Sequence, residues 1–396
     1  MPWFPRPKPK STLMIQRKIE PAFREALSEY PVVTLFGPRQ SGKTTLAKSC
    51  CPGFGYVNLE DQEESELAAA DPKAFFLRHP APVILDEIQR VPSLASQVQV
   101  LVDADRSQCG RFVLTGSHQT ELAEAIDESL AGRTAILELL PLSLAELGDA
   151  RRVPTDELLF RGFMPELHST RKNPSRYYRN YLRTYVERDV RRLVNIRDLI
   201  LFERFVALLA GRIGQVVNFS SLAGETGVST PTISSWLSVL EASFLVYRLK
   251  PWFSNISKRV VKSPKIYFAE TGLATHLLGI RDPSQLAAHP LRGALFENMC
   301  LMDVRKRFLN AGEDAPLSFL RTEKGFEIDL LVHEAAAVRP VEIKSAMTFH
   351  RNLVRNLETF AREEPAASAP TLLYDGAPVP SFGPRNVSVL NFRDWT

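Results

Sequence analysis

The residues with the clearest chemistry form a glycine-rich stretch near the N-terminus, Gly37-Pro38-Arg39-Gln40-Ser41-Gly42-Lys43-Thr44. It follows an apolar run at 31–36 that is typical of a buried strand, and it precedes residues of helical character. Glycines let backbone amides approach an anion, and the start of a helix adds partial positive charge. Lys43 suits the β- and γ-phosphates, and the hydroxyl of Thr44, the next residue, suits Mg²⁺. The spacing therefore predicts a loop that binds a nucleoside triphosphate.

A second apolar strand, at 82–85, ends in two adjacent carboxylates, Asp86 and Glu87. Ligands bind beyond the carboxyl ends of the strands in open α/β sheets. We expect Asp86 to hold Mg²⁺ through water and Glu87 to act as general base on the attacking water; an ordinary strand-to-helix cap is the alternative. The predicted cofactors are ATP and Mg²⁺, with Thr44 and Asp86 as metal ligands. The predicted nucleotide contacts are Gly37, Pro38, Arg39, Gln40, Ser41, Gly42, Lys43, Thr44, Thr45 and Asp86.

Two further polar residues follow on the next predicted elements. Residues 111–117 form a third apolar strand, and Ser117 at its end would touch the γ-phosphate or its water. Arg133 comes after the next helix, where an arginine that completes the site of another subunit would stabilise transition-state charge. The alternative for Arg133 is an ordinary surface residue.

Four motifs together resemble a prokaryotic AAA+ ATPase family whose members carry a C-terminal domain of formerly unknown function. The motifs lie at 37–44, 85–88, 114–117 and 130–133. The resemblance implies Walker A, Walker B, sensor 1 and arginine-finger roles, in that order. It also implies a helical lid and self-association into a ring or partial ring.

Positive charge is concentrated in the middle of the chain. Residues 151–265 carry 20 Lys and Arg against 9 Asp and Glu, although the net charge of the chain is only +4. An excess of basic residues is typical of a segment that binds a polyanion such as DNA. The alternative is that these residues lie on helix faces that contact only water. The spacing of Tyr178, Tyr181 and Tyr185 favours a core stripe over a base-stacking platform. Candidate phosphate contacts are the neighbouring arginines and a later group, Lys258, Arg259, Lys262 and Lys265.

Residues 219–249 have the pattern of a winged helix-turn-helix: a short helix, a glycine turn, a second helix capped by Ser229, and a strand. If this unit binds DNA, Thr230, Thr232 and Ser235 would face the major groove. These side chains read bases weakly, so we expect binding to depend on phosphates and DNA shape. The alternative is that this helix-turn-helix unit serves protein docking or ring assembly instead of DNA binding.

Three later segments resemble the core of PD-(D/E)XK nucleases. Glu297 lies early in a predicted helix, Asp329 on a strand, and Glu342 and Lys344 on a second strand, where residues two apart share a face. The resemblance implies Mg²⁺ ligation by Asp329 and Glu342, with Glu297 as a supporting carboxylate of the metal site. Lys344 would steer the water or stabilise the pentacovalent phosphate. Ile328 stands where proline is usual, and the alternative is exposed ion pairs on a domain kept for nucleic-acid binding.

The predicted fold class is α/β, in five parts. They are a basic proline-rich arm at 1–14, an AAA+ P-loop ATPase core at 15–140, a helical lid and connector at 141–200, a winged helix at 201–262, and a restriction-endonuclease-like domain at 263–396. The chain has no apolar run of 18 residues, no signal-peptide pattern, and four cysteines without zinc or disulfide spacing. We therefore expect a cytoplasmic protein without membrane contact.

Together these patterns predict an ATP-hydrolysing protein that binds and processes DNA, above all branched or structured DNA, with a Mg²⁺-dependent nuclease core. DNA would be recognised by structure rather than by sequence. The alternative is a nucleotide-controlled switch or protein-docking ATPase whose nuclease-like domain is a silent scaffold. Steep loss of DNA affinity with salt favours the first hypothesis, and slow ATP turnover that is indifferent to DNA favours the second.

Overall fold

The structure is a computed structural model that describes residues 15–117, 126, 128–186, 199–252, 261–383 and 386–395. The predicted arm at 1–14 lies outside these ranges, as do residues 187–198 of the predicted connector. Lys258 and Arg259, two of the predicted phosphate contacts, lie outside them too.

The first sheet has five parallel strands in the order β2-β3-β4-β1-β5. The strands are β1 (Val32–Phe36), β2 (Gly55–Asn58), β3 (Val83–Asp86), β4 (Phe112–Gly116) and β5 (Thr134–Glu138). Every residue of β1, β3 and β4 is buried, as expected of central strands with helices on both faces. Because β4 lies between β1 and β3, the ends of all three strands meet at one edge.

Helices cover both faces of this sheet. They are α1 (Glu20–Glu29), α2 (Lys43–Cys50), α3 (Gln62–Ala70), α4 (Pro72–Arg78) and α5 (Leu94–Ala104), with a 3₁₀ turn at Ile88–Arg90. Phe23 and Leu46, from α1 and α2, pack with Val33 on one face. Val98 of α5 packs with Leu114 on the other. The alternating inward side chains of the buried strands thus hold both helical layers.

A helical segment follows the first sheet. It contains a 3₁₀ turn at Gly148–Arg152, α6 (Thr155–Arg161), α7 (Pro165–Ser169), α8 (Pro174–Tyr181), a π-helical turn at Leu182–Val186, and α9 (Leu199–Ala210). Tyr177, Tyr178 and Tyr181 are each at most 7% exposed. Tyr178 and Tyr181 therefore belong to the core, as their spacing predicts, and Tyr177 is buried beside them. The side chain of Tyr185, the third member of the predicted stripe, lies outside the described residues.

Two helices and an antiparallel pair of strands occupy the region predicted as a winged helix. They are α10 (Phe219–Thr226), α11 (Thr230–Ala242), β6 (Val246–Leu249) and β7 (Lys265–Phe268). The left-handed Gly227, with φ of 83°, ends α10, and the Ser229 hydroxyl accepts a hydrogen bond from the Thr232 amide at the start of α11. The β6–β7 pairing joins residues on both sides of the domain boundary predicted at 262/263.

The second sheet is mixed and has six strands in the order β12-β13-β11-β10-β9-β8. The strands are β8 (Leu317–Arg321), β9 (Glu327–Glu334), β10 (Ala337–Lys344), β11 (Thr371–Tyr374), β12 (Val379–Phe382) and β13 (Val387–Asn391). The accompanying helices are α12 (Thr271–Leu277), α13 (Arg292–Asn310) and α14 (Arg355–Glu363), with 3₁₀ turns at Pro283–Leu286 and Arg351–Val354. Neighbouring residues of β11 enter different hydrophobic clusters, Leu373 with Phe296 of α13 and Leu372 with Leu357 of α14, so the two helices cover different faces.

Helix α13 connects the two sheets. Its Arg305 Nη2 lies 2.7 Å from Glu138 Oε2 of β5. Asp303 Oδ1 accepts a hydrogen bond of 2.6 Å from the Leu144 amide, and the Lys306 ammonium donates one of 2.9 Å to the Leu142 carbonyl. Buried polar groups are costly unless paired, so these bonds fix the position of the helix against the first sheet.

Candidate active site and carboxylate cluster

The predicted phosphate loop connects β1 to α2, and two of its glycines have backbone geometry that other residues do not tolerate. A Cβ at Gly37 would lie 2.1 Å from the Leu139 carbonyl oxygen. Gly42 has φ of 99° immediately before α2, a left-handed conformation that glycine adopts without a steric penalty. The loop therefore presents its amides and the start of α2 to the same point, as a phosphate site requires.

The Lys43 ammonium lies inside this loop. It donates hydrogen bonds of 2.8 Å and 2.9 Å to the carbonyls of Gly37 and Pro38, and the residue is 5% exposed. Burial lowers the pKa of Lys43 to about 8, although the carboxylates of Glu87 and Asp86 oppose the shift. An ammonium at this position suits phosphate oxygens, which would replace the carbonyls as its partners.

Thr44 and Asp86, the two predicted metal ligands beside the loop, are in direct contact. Thr44 Oγ1 donates a hydrogen bond of 2.9 Å to Asp86 Oδ2. The same carboxylate accepts hydrogen bonds from Tyr56 Oη, at 2.8 Å, and from Thr115 Oγ1. Sequence reasoning missed the roles of Tyr56 and Thr115. Mg²⁺ is commonly held by one or two protein oxygens together with waters and substrate phosphates, so an adjacent hydroxyl and carboxylate fit it.

Glu87 stands in a left-handed conformation with φ of 58° at the end of β3, which is uncommon for a residue other than glycine. Its Oε2 accepts a hydrogen bond of 3.0 Å from Ser117 Oγ, and another from Gln89 Nε2. The structure thus brings Glu87 and Ser117 together beside Asp86. Gln89 was not predicted, and no motif in the sequence marks it.

Arg133 lies at the opposite edge of the sheet. It immediately precedes β5, and its carbonyl accepts a hydrogen bond from the amide of Val32, the first residue of β1. Its guanidinium forms two hydrogen bonds of 2.9 Å with the carboxylate of Asp103. Since the loop lies at the other end of β1, Arg133 is not brought to the nucleotide site of its own chain.

Arg17 supports the phosphate loop from behind. Its guanidinium donates hydrogen bonds of 2.6 Å to the Ser41 carbonyl and 2.7 Å to the Leu140 carbonyl, and it pairs with Glu146 at 2.9 Å. Burial alone would raise the pKa of Glu146, but Arg17 and the amides of Ser143 and Lys18 outweigh it and hold that pKa below its ordinary value. A cleft of about 520 Å³ beside these residues is lined by Ile15, Arg17, Gly42, Thr45, Leu46 and Ser169.

Asp329, Glu342 and Lys344 are brought together on β9 and β10. The Lys344 ammonium lies 2.7 Å from Asp329 Oδ2 and 2.5 Å from Glu342 Oε2. Glu342 is 2% exposed, and its Oε1 has no hydrogen-bond partner. Burial and the Asp329 charge raise the pKa of Glu342 well above its ordinary value. Burial would raise the pKa of Asp329 as well, but Lys344 and Lys265 outweigh it and hold that pKa at about 2.

Glu297 has different partners from the other two carboxylates. Its Oε1 accepts a hydrogen bond of 2.6 Å from Tyr267 Oη and lies 3.2 Å from the Lys265 ammonium. Lys265 also lies 2.5 Å from Glu327 Oε1 and is 1% exposed. Its prediction as a phosphate contact on the surface is therefore wrong, because β7 carries its side chain inward. Burial raises the pKa of Glu297 to about 7 against the opposing effect of Lys265.

Within the described ranges, no three His, Cys, Asp or Glu side chains converge so that they could hold a metal ion between them. The predicted trio of Glu297, Asp329 and Glu342 is thus not assembled as one ligand set. Asp329 and Glu342 are linked through Lys344, and the unpartnered Glu342 Oε1 is a buried acceptor that a cation would satisfy. This pair fits Mg²⁺, which needs only one or two carboxylates.

The parallel sheet, the phosphate loop and the Asp86–Glu87 pair define a P-loop ATPase domain of the AAA type. Residues 29–148 match the family model described as an AAA domain. Residues 154–284 and 292–395 match models described as domains of unknown function, DUF8612 and DUF4143.

Relatives that match most of the chain are described as uncharacterised proteins. One from Mycobacterium tuberculosis is 33% identical over 342 residues, which cover 85% of this chain and 76% of the relative. The chain belongs to the family of this mycobacterial protein. A relative from Haemophilus influenzae is 22% identical, over 79% of this chain and 82% of its own length.

One solved structure to which the chain is similar is the Walker-type ATPase PABY2304 of Pyrococcus abyssi. It is 15% identical, with a TM-score of 0.45, over 69% of this chain and 98% of that one. Among the helices that the structure describes, none is long and apolar enough to cross a membrane.

Proposed function

We propose that the chain couples ATP hydrolysis to the binding and processing of DNA, above all branched or structured DNA. The observation that carries this proposal is a row of four exposed arginines along α8 and the segments on either side of it. Arg171 precedes the helix, Arg176 and Arg179 lie on it, and Arg183 lies in the turn after it. None of the four forms an ion pair with another described residue. Exposed guanidiniums without a carboxylate partner contact phosphates at little desolvation cost.

The row begins next to the nucleotide site. A cleft of about 530 Å³ is lined by Gln40 of the phosphate loop and by Arg171, Arg176 and Tyr177. The Tyr177 hydroxyl donates a hydrogen bond of 2.5 Å to Gln40 Oε1. Tyr177 lies on α8 next to Arg176, so this hydrogen bond links the helix that would bind the DNA backbone to the loop that would bind ATP. The link supports coupling between DNA binding and ATP hydrolysis.

ATP hydrolysis follows from the residues at the edge of the first sheet. Lys43 binds the β- and γ-phosphates, and Thr44 and Asp86 would hold Mg²⁺, which neutralises charge on those phosphates when bound. Glu87 takes the proton of the attacking water, while Ser117 and Gln89 orient its carboxylate through their hydrogen bonds. The cleft of about 520 Å³ beside Thr45 suits the nucleoside part of ATP.

We infer that Arg133 acts on the nucleotide of a neighbouring subunit in a ring or partial ring. Arg133→Ala is expected to bind ATP normally and to hydrolyse it about 10³-fold more slowly, because an arginine supplied in trans contributes about that much. An equimolar mixture with Glu87→Gln protein is expected to regain activity, since about one interface in four then joins an intact Arg133 to an intact site. The measurement is ATP turnover across mixing ratios.

The matched control for this experiment is Arg106→Ala. Arg106 contacts the same carboxylate as Arg133, with Nη2 2.8 Å from Asp103 Oδ1, and its side chain is 69% exposed. Its loss should leave turnover unchanged. Failure of every mixing ratio to restore activity, with both variants folded, would contradict the assignment of Arg133.

The region at 219–268 supplies a second DNA-binding surface in this proposal. Thr230 and Ser235 are exposed on α11, whereas Ile233, Trp236 and Leu237 are buried on its opposite side. The exposed residues near the start of α11 carry hydroxyls, and its charged residue, Glu241 near the end, pairs with Arg248. The start of the helix therefore suits the backbone and groove shape rather than particular bases. This supports a winged helix that recognises DNA structure.

The C-terminal sheet supplies the proposed nuclease chemistry. Asp329 and Glu342 would hold Mg²⁺, which would polarise the scissile phosphate when bound. Lys344 then donates to the attacking water or to the phosphate oxygens, because its ammonium lies within 2.7 Å of both carboxylates.

DNA binding is expected to weaken steeply with salt. Four phosphate contacts predict a slope of log affinity on log salt of about −3.6, a loss of roughly 10²-fold between 50 and 200 mM. The measurement is a fluorescence-anisotropy titration of a labelled four-way junction at several salt concentrations. Replacing Arg176 and Arg179 by glutamine is expected to reduce the slope by about 2.

Lys73→Gln is the control for this titration, because Lys73 is an exposed cation on α4, away from the row. It should leave the slope unchanged. An interaction that is insensitive to salt, or a slope that the double variant shares with the wild type, would contradict the proposed phosphate contacts.

One observation favours the alternative function, a nucleotide-controlled switch with a silent C-terminal scaffold. Lys265 and Lys344 already pair with all four carboxylates around the predicted nuclease site, namely Glu297, Glu327, Asp329 and Glu342. Carboxylates that are already paired in this way are satisfied without a metal ion, as a purely structural cluster would be. This alternative predicts ATP turnover that DNA does not change.

A further inference from the structure

We propose that the C-terminal carboxylate cluster takes one divalent cation, at Asp329 and Glu342, and that the Lys265 ammonium occupies the place of a second one, between Glu297 and Glu327. This inference rests on the proposed metal site of the nuclease-like domain. It assigns Lys265, which the predicted nuclease pattern does not contain, as a positioning residue of that site.

The hydrogen bonds distinguish two halves of the cluster. Glu297 Oε1 already has the Tyr267 hydroxyl at 2.6 Å and the Lys265 ammonium at 3.2 Å. Glu327 has Lys265 at 2.5 Å on one oxygen and Arg321 at 3.3 Å on the other. In the other half, the buried Glu342 Oε1 has no partner. Each half contains one lysine ammonium, because Lys344 lies between Asp329 and Glu342 as Lys265 lies between Glu297 and Glu327. The halves differ in the unpartnered Glu342 Oε1, which a divalent cation would satisfy, whereas no buried oxygen of Glu297 or Glu327 lacks a partner.

Charge supports the same division. With Glu297, Glu327, Asp329 and Glu342 all ionised, the two ammoniums that lie between them, the buried Lys265 and the half-buried Lys344, leave a formal charge of −2. One divalent ion balances that charge, and a second would leave an excess of positive charge away from water, which is costly. Arg321, whose side chain is 43% exposed, lies at the rim, where solvent screens it.

Lys265 enters the cluster from outside the six-stranded sheet. It belongs to β7, which pairs with β6 rather than with β8 or β9. The segments next to this pair contact the sheet, because the Trp252 amide donates to the Phe319 carbonyl at 2.7 Å and the Val261 amide to the Arg321 carbonyl at 3.0 Å. The built-in cation is thus in place only when the β6–β7 pair is docked on the sheet.

The test counts Mn²⁺ bound to the full-length, nucleotide-free protein, by electron paramagnetic resonance of free Mn²⁺ in a titration. We expect one ion in the wild type and two in Lys265→Met, because the variant exposes Glu297 and Glu327 to the solution cation. The double variant Lys265→Met with Glu297→Gln should return to one. Lys262→Met, which removes the same charge from an exposed position three residues upstream, should bind one.

A second variant keeps the inference testable if Lys265→Met does not fold. Glu297→Gln preserves size and hydrogen bonding, and its Mn²⁺ dissociation constant is expected to stay within about threefold of the wild type, whereas loss of a residue that supports a ligand costs about ten- to hundredfold. A tenfold weaker ion in Glu297→Gln would show that Glu297 serves the metal directly and would overturn the role of Lys265.

The outcomes separate this inference from the proposed function. No ion bound to the wild type, or the same binding in Glu342→Gln, would overturn the metal site itself. One ion in the wild type and one in folded Lys265→Met would overturn only the inference. Two ions in the wild type would overturn it as well.

Discussion

Replacement of Lys43 by alanine is expected to abolish ATP turnover and to leave DNA binding measurable. The ammonium is held inside the phosphate loop by the carbonyls of Gly37 and Pro38, where the charge of the transferred phosphoryl group develops. Loss of one such preorganised donor costs about 10²–10³-fold in rate. DNA binding should persist because the arginine row on α8 does not include Lys43.

The measurement is steady-state phosphate release, with DNA affinity determined on the same preparation. Lys73→Ala removes an exposed lysine from the same domain and should behave as the wild type. A folded Lys43→Ala protein that keeps more than a few per cent of the wild-type turnover would remove Lys43 from its assigned role.

Glu87→Gln is expected to bind ATP as the wild type does and to hydrolyse it about 10²–10⁴-fold more slowly, the usual contribution of a positioned general base. Glutamine preserves the acceptor for Ser117 and Gln89, so the local geometry should survive, but an amide cannot take the proton of water. Nucleotide affinity should not change, because the proposed phosphate and metal contacts are made by Lys43, Thr44 and Asp86.

The measurement pairs a fluorescent-nucleotide titration with single-turnover hydrolysis. The control is Glu66→Gln on α3, an exposed glutamate that accepts a hydrogen bond from Gln62. Turnover of Glu87→Gln within about threefold of the wild type would exclude Glu87 as the base.

The nucleotide site was predictable because its motifs are local. A strand, a glycine loop and a helix start occupy adjacent positions in the sequence, so their spacing contains most of the geometry. Tyr56 and Gln89 were not predictable in this way. Tyr56 reaches Asp86 from the edge strand β2, and its contact depends on the order of the strands in the sheet.

Lys265 shows a second limit of sequence reasoning. Beside Lys258, Arg259 and Lys262 it has the pattern of a basic surface segment, yet strand pairing carries its side chain into the interior. The carboxylates that make this burial tolerable come from α13 and β9, distant in sequence. Burial of a lysine is favourable only with such partners, and no local window contains them.

Arg133 shows a third limit, since the partner proposed for it is the nucleotide of another copy of the chain. Within one chain its guanidinium pairs with Asp103. Both the sequence and one subunit are consistent with a surface ion pair, so mixing of variants is what distinguishes the two roles.

Helix α13 offers a physical route between the two candidate sites. Glu297 in its first half contacts the carboxylate cluster, and Arg305 in its second half contacts β5 of the ATPase sheet. Eight residues separate them, about 12 Å along a helix. A shift of the ATPase sheet would therefore move the helix that carries Glu297.

The most direct test of the central claim, that ATP hydrolysis is coupled to DNA, is ATP turnover with and without DNA. Purified protein would be mixed with labelled duplex, single-stranded or four-way-junction DNA and Mg²⁺, with Asp329→Ala alongside, and binding and cleavage would be scored in the same samples. We expect DNA to accelerate turnover, the four-way junction most of all, and only the wild type to cut. If no DNA changes the rate of ATP turnover, and the protein binds none of the DNAs even at about 50 mM salt, coupling of ATP hydrolysis to DNA is contradicted. That result would favour the nucleotide-controlled switch.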